Sequence, residues 1–214
     1  DIMAFRVYDF RDDICHQLVT PHIRSRFMRM EPGQVADRHS HDLGHEIFLI
    51  LQGRAIFEIA GEEAELGPGQ LCIALVDEPH QVRVVSEEPV IMYLSVTPHI
   101  QPTHTGRTAT GEPLPIRFAP SRVYDVETDE QTPIDQLIDR YGEAASDLAA
   151  AAQENARVQR ETADALKEAL AAGDEEAANA ARLAMWQTLS QTFKQAYAMA
   201  DLWNDLTPRA GSVG

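Results

Sequence analysis

Between Gly33 and Gly53 the chain reads GQVADRHSHDLGHEIFLILQG, and this stretch limits the possible folds more than any other. His39 and His41 stand two apart, so on an extended strand both imidazoles leave the same face. Glu46 opens EIFLIL, a dense apolar run of β character, and its carboxylate can come back beside the histidines from the next strand. Two imidazoles and a carboxylate converging from adjacent strands can hold a divalent metal and leave coordination positions open. The stretch therefore predicts a β structure organised around a metal site.

The flanking sequence supports strands on both sides. Residues 1 to 20 are mixed, and MAFRVYDFRDDI reads as an edge strand or an arm crossing a barrel. HIRSRFMRM (22–30) is a clearer strand, with Arg24, Arg26, Met28 and Met30 on one face and Ile23, Ser25, Phe27 and Arg29 on the other. If the first face is inward, an arginine meets an anionic substrate; if outward, it is a solvated edge. Beyond Gly53 come RAIFEIA, a turn at Gly61-Glu62-Glu63, AEL, then strands over 70–76, 81–85 and 89–96. Short strands punctuated by turn residues at this spacing predict an antiparallel barrel or sandwich. With the phase set by Glu46, its interior carries Phe48, Ile50, Phe57 and Ile59.

After Thr97 the pattern changes. TPHIQPTHTGRTATGEPLPIRFAP is rich in Pro, Thr and Gly and reads as a long surface loop, either functional or a linker. From Pro133 the composition shifts to Ala, Glu, Gln, Leu and Arg. Thr132 and Pro133 form an N-cap and first-turn pair, and a heptad-like stripe from Ile134 to Leu170, weakened by Asn155 and Gln159, predicts a long helix. Gly173 and Asp174 end it and cap a second helix, with Ala181, Met185, Leu189, Phe193, Ala196, Ala200, Trp203 and Leu206 on one face and Pro208 as its end. So short a turn makes an antiparallel helical hairpin. The expected domains are a β-barrel over 1–125, including an N-terminal arm and a rim loop over 97–125, and a two-helix hairpin over 133–207.

Composition removes several function classes. The net charge is −16 and the pI about 4.8, against general binding to nucleic acid or to an anionic membrane. The hairpin also lacks the short recognition helix and basic face that DNA binding needs. Cys15 and Cys72 lie too far apart for a disulfide framework, and Cys72, in LCIAL, reads as a core residue. No apolar run is long enough to span a bilayer, and DIMAFRVYDF does not read as a signal peptide. A cytoplasmic location is the expectation.

The full spacing is Gly33, five residues, His39, one residue, His41, four residues, Glu46, six residues, Gly53. It resembles the first motif of the cupin superfamily at every defined position. The second cupin motif has a glycine, a Pro-x-Gly turn and a histidine; here Gly69 is followed by QLCIALVDEPH, and His80 falls at the expected distance. The sequence departs from that motif at Leu75 and Asp77, where the family usually has the proline and glycine, and Pro79 stands directly before His80. The resemblance spans about Gly33 to Val96 with the strand before it. It implies a mainly β fold, a jelly-roll barrel followed here by the α-helical hairpin, with one divalent metal held in the barrel mouth by His39, His41, Glu46 and His80. The residues themselves support His80, which opens HQVRV with Val82 and Val84 on its face. Imidazole with carboxylate suits Fe, Mn, Ni, Co, Cu or Zn, and iron is preferred.

Cupins of this single-barrel type include dioxygenases, isomerases, decarboxylases and lyases acting on small organic acids or similar metabolites. The resemblance thus implies a metal-dependent enzyme acting on a small organic metabolite, with a preference for dioxygenase-type chemistry. The alternative is a non-catalytic metabolite-binding or sensing cupin whose hairpin mediates dimerisation or partner binding, and a structural cupin with a vestigial site is the third reading. No motif places a general acid or base, so the candidates are His99 and His104, from the loop leaving the barrel rim, and Tyr93. His45 should face away from Glu46, as a surface residue or as a donor behind a ligand. Trp186 and Trp203 read as packing residues. The partners expected are a small metabolite and a second copy of the chain, as a homodimer or higher homo-oligomer, with neither nucleic acid nor membrane.

Overall fold

Alternation of apolar and polar residues is carried directly into the strands. The computed structural model describes residues 5–127 and 129–210. Among these, the strands are β1 (His16–Thr20), β2 (Ile23–Met30), β3 (His39–Ser40), β4 (His45–Gln52), β5 (Ala55–Ile59), β6 (Glu62–Leu66), β7 (Leu71–Ala74), β8 (His80–Val84), β9 (Val90–Thr97) and β10 (Thr105–Gly106). Two helices follow, α1 (Ile134–Ala172) and α2 (Glu175–Ala210). No helix among the described residues is long and apolar enough to cross a membrane. The residues fall into two units, one up to 127 with the last turn of α2, the other 129–206.

In the first unit two antiparallel sheets, β1-β2-β9-β4-β7 and β10-β3-β8-β5-β6, form a jelly-roll barrel. Along β4, Glu46, Phe48 and Ile50 are buried while His45 is exposed, so the period-2 rule sends one face of the strand inward. Facing it from the other sheet are Phe57 and Val82, both buried, and the Phe48 and Phe57 rings lie 5.1 Å apart. Ile59 packs at the edge of that core. The interior expected from the phase of Glu46 is therefore present.

Backbone conformation explains two turns. Ala60 and Gly61 both have positive φ, 51° and 86°, the pair a type I′ turn requires to join β5 to β6. Gly53 has φ 74°, and a Cβ there would lie 2.7 Å from the Pro89 carbonyl oxygen. Only glycine fits that close approach.

Of the two readings of the N-terminal segment, the edge strand does not form. Residues 5–15 form no strand, and the first strand begins at His16 and pairs with β2. A turn at Phe10–Asp12, bound by the Asp9 carboxylate to the Arg11 backbone N–H at 3.0 Å, takes the chain out of extended conformation before β1. Residues 1–4 lie outside the described chain.

In the second unit α1 and α2 form the antiparallel hairpin. Gly173, at φ 68°, caps α1, and the Asp174 carboxylate accepts from the Ala177 N–H at 3.0 Å to start α2. At the other end of α1 the cap sits one residue later than predicted: Pro133 is the N-cap, and the Thr132 hydroxyl donates to Asp129 instead. Pro208 does not end α2, which continues to Ala210, because a proline so near the terminus removes few helical hydrogen bonds. Asn155 and Gln159 do not weaken the seam but bridge it. Gln159 Nε2 donates to the Met185 carbonyl (2.9 Å) and the Thr188 hydroxyl to Asn155 Oδ1 (3.1 Å).

That polar seam reorients α2. Thr188 and Thr192 face α1, the Thr192 hydroxyl reaching the Ala151 carbonyl, so Leu189 and Phe193 are exposed rather than inward. Trp203 packs on Tyr141 with ring centroids 5.5 Å apart, as expected. Trp186, expected to pack, is 59% exposed because it lies beside Leu183 and away from the seam.

Candidate metal centre

The four residues singled out from sequence come together. Ligand atoms of His39, His41, Glu46 and His80 all lie within 4.8 Å of one another, and they could hold a metal ion. They do not come from adjacent strands of one sheet. His39 on β3 pairs with His80 on β8 in one sheet, whereas Glu46 projects from β4 in the other. The ligands thus meet across the barrel interior. Glu46 Oε2 is 2.9 Å from His41 Nε2, 3.0 Å from His80 Nε2 and 3.5 Å from His39 Nε2.

The opposite ring nitrogens fix the tautomers. His39 Nδ1 donates to the Asp37 carbonyl (3.0 Å), His41 Nδ1 to the Thr103 carbonyl (2.5 Å) and His80 Nδ1 to the Glu78 carbonyl (2.9 Å). A carbonyl can only accept, so each ring carries its proton on Nδ1 and, when neutral, turns a lone pair inward at Nε2. Burial pushes the His41 pKa down, against a second proton, despite the opposing carboxylate. Burial works against charge on Glu46, but an imidazole that takes a second proton, at Nε2, donates to the carboxylate and holds its pKa well below the usual carboxylate range. With the rings neutral, four acceptor atoms converge on one point with no donor among them. A divalent cation satisfies that arrangement, and carbonyl-bound Nδ1–H groups are how metal-ligating histidines are held.

Beside the cluster opens a cavity of about 700 Å³. Arg24, Arg26 and Met28 line it, which settles the direction of that face of β2 as inward. Phe48, Val82 and Leu94 supply apolar wall, and Leu114, Pro115 and Phe118 reach it from the loop after β10. The side-chain amide of Gln101 holds this loop, donating to the Ala119 carbonyl (3.0 Å) and accepting from its N–H (3.1 Å). Arg24, 3% exposed, places Nη2 3.5 Å from Glu46 Oε1 and 3.3 Å from His104 Nε2, and its guanidinium carbon lies 5.5 Å from the centre of the Tyr124 ring.

The other candidates divide. His104 lines the cavity with its ring centroid 4.7 Å from that of His39, and burial, reinforced by the Arg24 charge, holds its pKa well below the ordinary value. His99 is buried behind the site: its Nδ1 meets the Thr103 hydroxyl at 2.8 Å, and burial, then the charge of Arg24, pushes its pKa down to about 3. Tyr93 lies on the other face of its strand from cavity-lining Leu94, edge-on to Phe27 with centroids 6.1 Å apart. His45 is exposed and accepts the Val76 N–H at Nδ1. Cys72 packs against the barrel core, and burial followed by the Glu46 charge pushes its thiol up to about 12. Sequence reasoning missed Thr103, whose contribution is a backbone carbonyl and so leaves no motif.

Residues 26–97 match the family model described as Cupin domain. No curated protein matches the chain. Among solved structures, an uncharacterized conserved protein with a double-stranded beta-helix domain from Klebsiella pneumoniae is 21% identical with a TM-score of 0.42, over 44% of this chain and 91% of its own. KdgF from Halomonas sp. is 22% identical with a TM-score of 0.37, over 41% of this chain and 78% of its own. An oxalate decarboxylase from Lactobacillus farciminis, in a formate complex, is 16% identical with a TM-score of 0.37, over 40% and 26% of the two chains.

Proposed function

We propose that the barrel, in which residues 26–97 match the cupin-domain family model, holds one divalent transition metal through Nε2 of His39, His41 and His80 and the carboxylate of Glu46, and that it is an enzyme acting on a small organic metabolite. The observation that carries this reading is the convergence of four acceptor atoms whose Nδ1 partners are already committed to the carbonyls of Asp37, Thr103 and Glu78. When bound there, the metal would supply Lewis acidity or, if iron, one-electron chemistry with dioxygen.

The chain's own groups define the rest. Phe48, Leu94 and Met28 exclude water from one side of the cavity. His104 accepts from Arg24 at Nε2 and so, when neutral, carries its proton at Nδ1. Oxygen-dependent oxidation with iron is the reaction class we favour.

Elemental analysis of protein purified without added metal tests the site: wild type should hold about one equivalent, and His39→Ala or His80→Ala should hold none. Full occupancy in both variants would defeat the assignment. Oxygen consumption or substrate turnover by iron-reconstituted protein across a metabolite panel tests the enzyme. Saturable binding without turnover would favour a sensing module instead. One feature of the second unit speaks for that alternative, since Leu183, Trp186 and Phe193 leave an apolar stripe on α2 open to a second copy or another protein.

A further inference from the structure

Over its middle turns the helical hairpin has one face without charge, and the bulkiest side chains there are open to solvent. The helices α1 and α2 meet along a seam. In it the Thr188 hydroxyl donates to Asn155 Oδ1, the Thr192 hydroxyl to the Ala151 carbonyl and Gln159 Nε2 to the Met185 carbonyl. Each residue of an α-helix is turned about 100° from the one before it. Two right-handed helices that run in opposite directions, seams together, therefore bring the residues just after the seam onto one side of the pair. Those just before the seam fall on the other side. Following Leu148, Ala151 and Asn155 on α1 are Ala149, Ala152 and Ala156, all exposed. Following Met185, Thr188 and Thr192 on α2 are Trp186, Leu189 and Phe193, exposed by 59%, 37% and 56%. The residues before the seam include Asp147, Glu154, Gln187 and Gln191. A bulky ridge on α2 thus lies beside a shallow alanine trough on α1, with the charges behind.

Such a face has the composition of an interface core, where aromatic residues are enriched and charges are scarce. Its shape indicates what covers it. The seam bonds set Ala151 level with Thr192 and Asn155 level with Thr188. Phe193 consequently stands level with the stretch from Ala149 to Ala152, and Leu189 with that from Ala152 to Ala156. A two-fold axis parallel to the helices lays the ridge of each copy into the trough of the other at the same level. Charge agrees with this occupant, because copies of a chain at −16 repel wherever charged surfaces meet, and this face brings none together. Area agrees as well. From Ile138 through Gly142 and Ala145 to Ala156 the same side of α1 stays uncharged for about 27 Å, at ~1.5 Å per residue, before Arg160 ends it. With a helix pair about 20 Å wide, two such faces bury roughly 1,000 Å², the size a specific interface needs.

We propose that the hairpin is a self-association surface. Two copies pack face to face as a four-helix bundle in which every neighbouring pair of helices is antiparallel. Leu189 and Phe193 of each copy sit against Ala149, Ala152 and Ala156 of the other. Alanines shorten the distance between the helix axes, and the bulky side chains fill the space that the trough leaves.

The test uses the full-length chain, by size-exclusion chromatography with light scattering. Wild type should have at least twice the 23.8 kDa of one chain. Ala152→Glu, a good helix former at an exposed position, should halve that mass with helical circular dichroism unchanged. Gln191→Glu, on the opposite face, should leave the mass as in wild type. Oxidation of the double variant Ala156→Cys with Leu189→Cys should give a disulfide-linked dimer on a non-reducing gel, beyond any wild-type background from Cys15 and Cys72. Neither single variant should do so. A monomeric wild type overturns the proposal and leaves the face to a partner of another sequence. A mass unchanged in Ala152→Glu, or halved equally in Gln191→Glu, places the contact elsewhere and also overturns it. Cross-linking by either single variant alone would set like helix on like helix, and no cross-link in the double variant would separate ridge from trough; each refutes the arrangement.

Discussion

Replacing Glu46 by Gln keeps the volume of the side chain and removes only its charge, which makes it the sharpest probe of the four-acceptor cluster. In metal-free protein two effects oppose. The amide can donate to an imidazole Nε2 that the carboxylate merely faces, at 2.9 Å for His41, while buried Arg24 loses its only carboxylate at 3.5 Å. The metal-free melting temperature therefore has no predicted direction, and the increment on adding metal is the quantity to measure. At a free metal concentration 100 times the dissociation constant, wild type gains about 2.7 kcal/mol. For a unit the size of the barrel that is a shift of roughly 8–13 °C, at about 3–5 °C per kcal/mol. Losing the one anionic ligand should weaken binding at least ~100-fold, so the same metal concentration then adds only about 0.4 kcal/mol, a shift of about 2 °C. Thermal melts followed by circular dichroism, with a chelator and then with each of Mn, Fe, Co, Ni, Cu and Zn, read both increments. An equal increment in wild type and Glu46→Gln for the best-binding metal would refute the reasoning, as would no increment in wild type with any of them.

Further outcomes follow from other parts of the molecule. Gly33→Ala meets only the conformational penalty of φ 77°, about 1–2 kcal/mol, because nothing lies within 4 Å of its added Cβ. Gly53→Ala adds a clash with backbone at 2.7 Å and should lose about 1–3 kcal/mol more in urea unfolding; equal losses at the two sites would count against the close approach described for Gly53. His99, held to about 3 when folded against 6.5 when free, binds fewer protons in the folded state. Its neutral form therefore contributes stability fully present above pH 6.5 and lost as pH falls toward 3, with a slope of up to about 1.4 kcal/mol per pH unit. His99→Gln should flatten urea-unfolding stability across that window relative to wild type, and an unchanged slope would show that His99 titrates normally. If the α2 stripe joins two chains, Trp186→Glu with Phe193→Glu should halve the mass seen by light scattering, and an unchanged dimer would place the interface elsewhere.

The residues that were legible in the sequence are those whose role is carried by their own side chain in a regular element. His39, His41, Glu46 and His80 could be read because strand periodicity fixes the face a side chain takes, and Phe48, Ile50 and Phe57 followed in phase. Arg24 and Arg26 could be placed on one face but not inside, because β2 carries polar residues on both faces and only its pairing with β9 decides which is inward. Thr103 was invisible for a different reason: the atom that orients His41 is a carbonyl that every residue has. On α2 the expected stripe holds at Ala181, Ala200 and Leu206, which are buried, and breaks at Leu189 and Phe193, because hydrophobicity was counted and hydrogen bonding was not. Thr188 and Thr192 take the seam through their hydroxyls, and Leu189 and Phe193 are turned outward in consequence.

Glu46 reaches the cluster from one sheet, and His39 and His80 reach it from the other. An ion bound there is then a clasp between the two layers as well as a reagent. Opening the barrel requires the layers to part, and a clasp that closes only once both are in place acts on the route out rather than on the route in. Loaded protein should consequently unfold more slowly while refolding at nearly the metal-free rate, which the two limbs of a denaturant chevron would separate. In the cell that difference is a lifetime: chain that has taken up its ion is long-lived, and chain that has not is open to proteolysis.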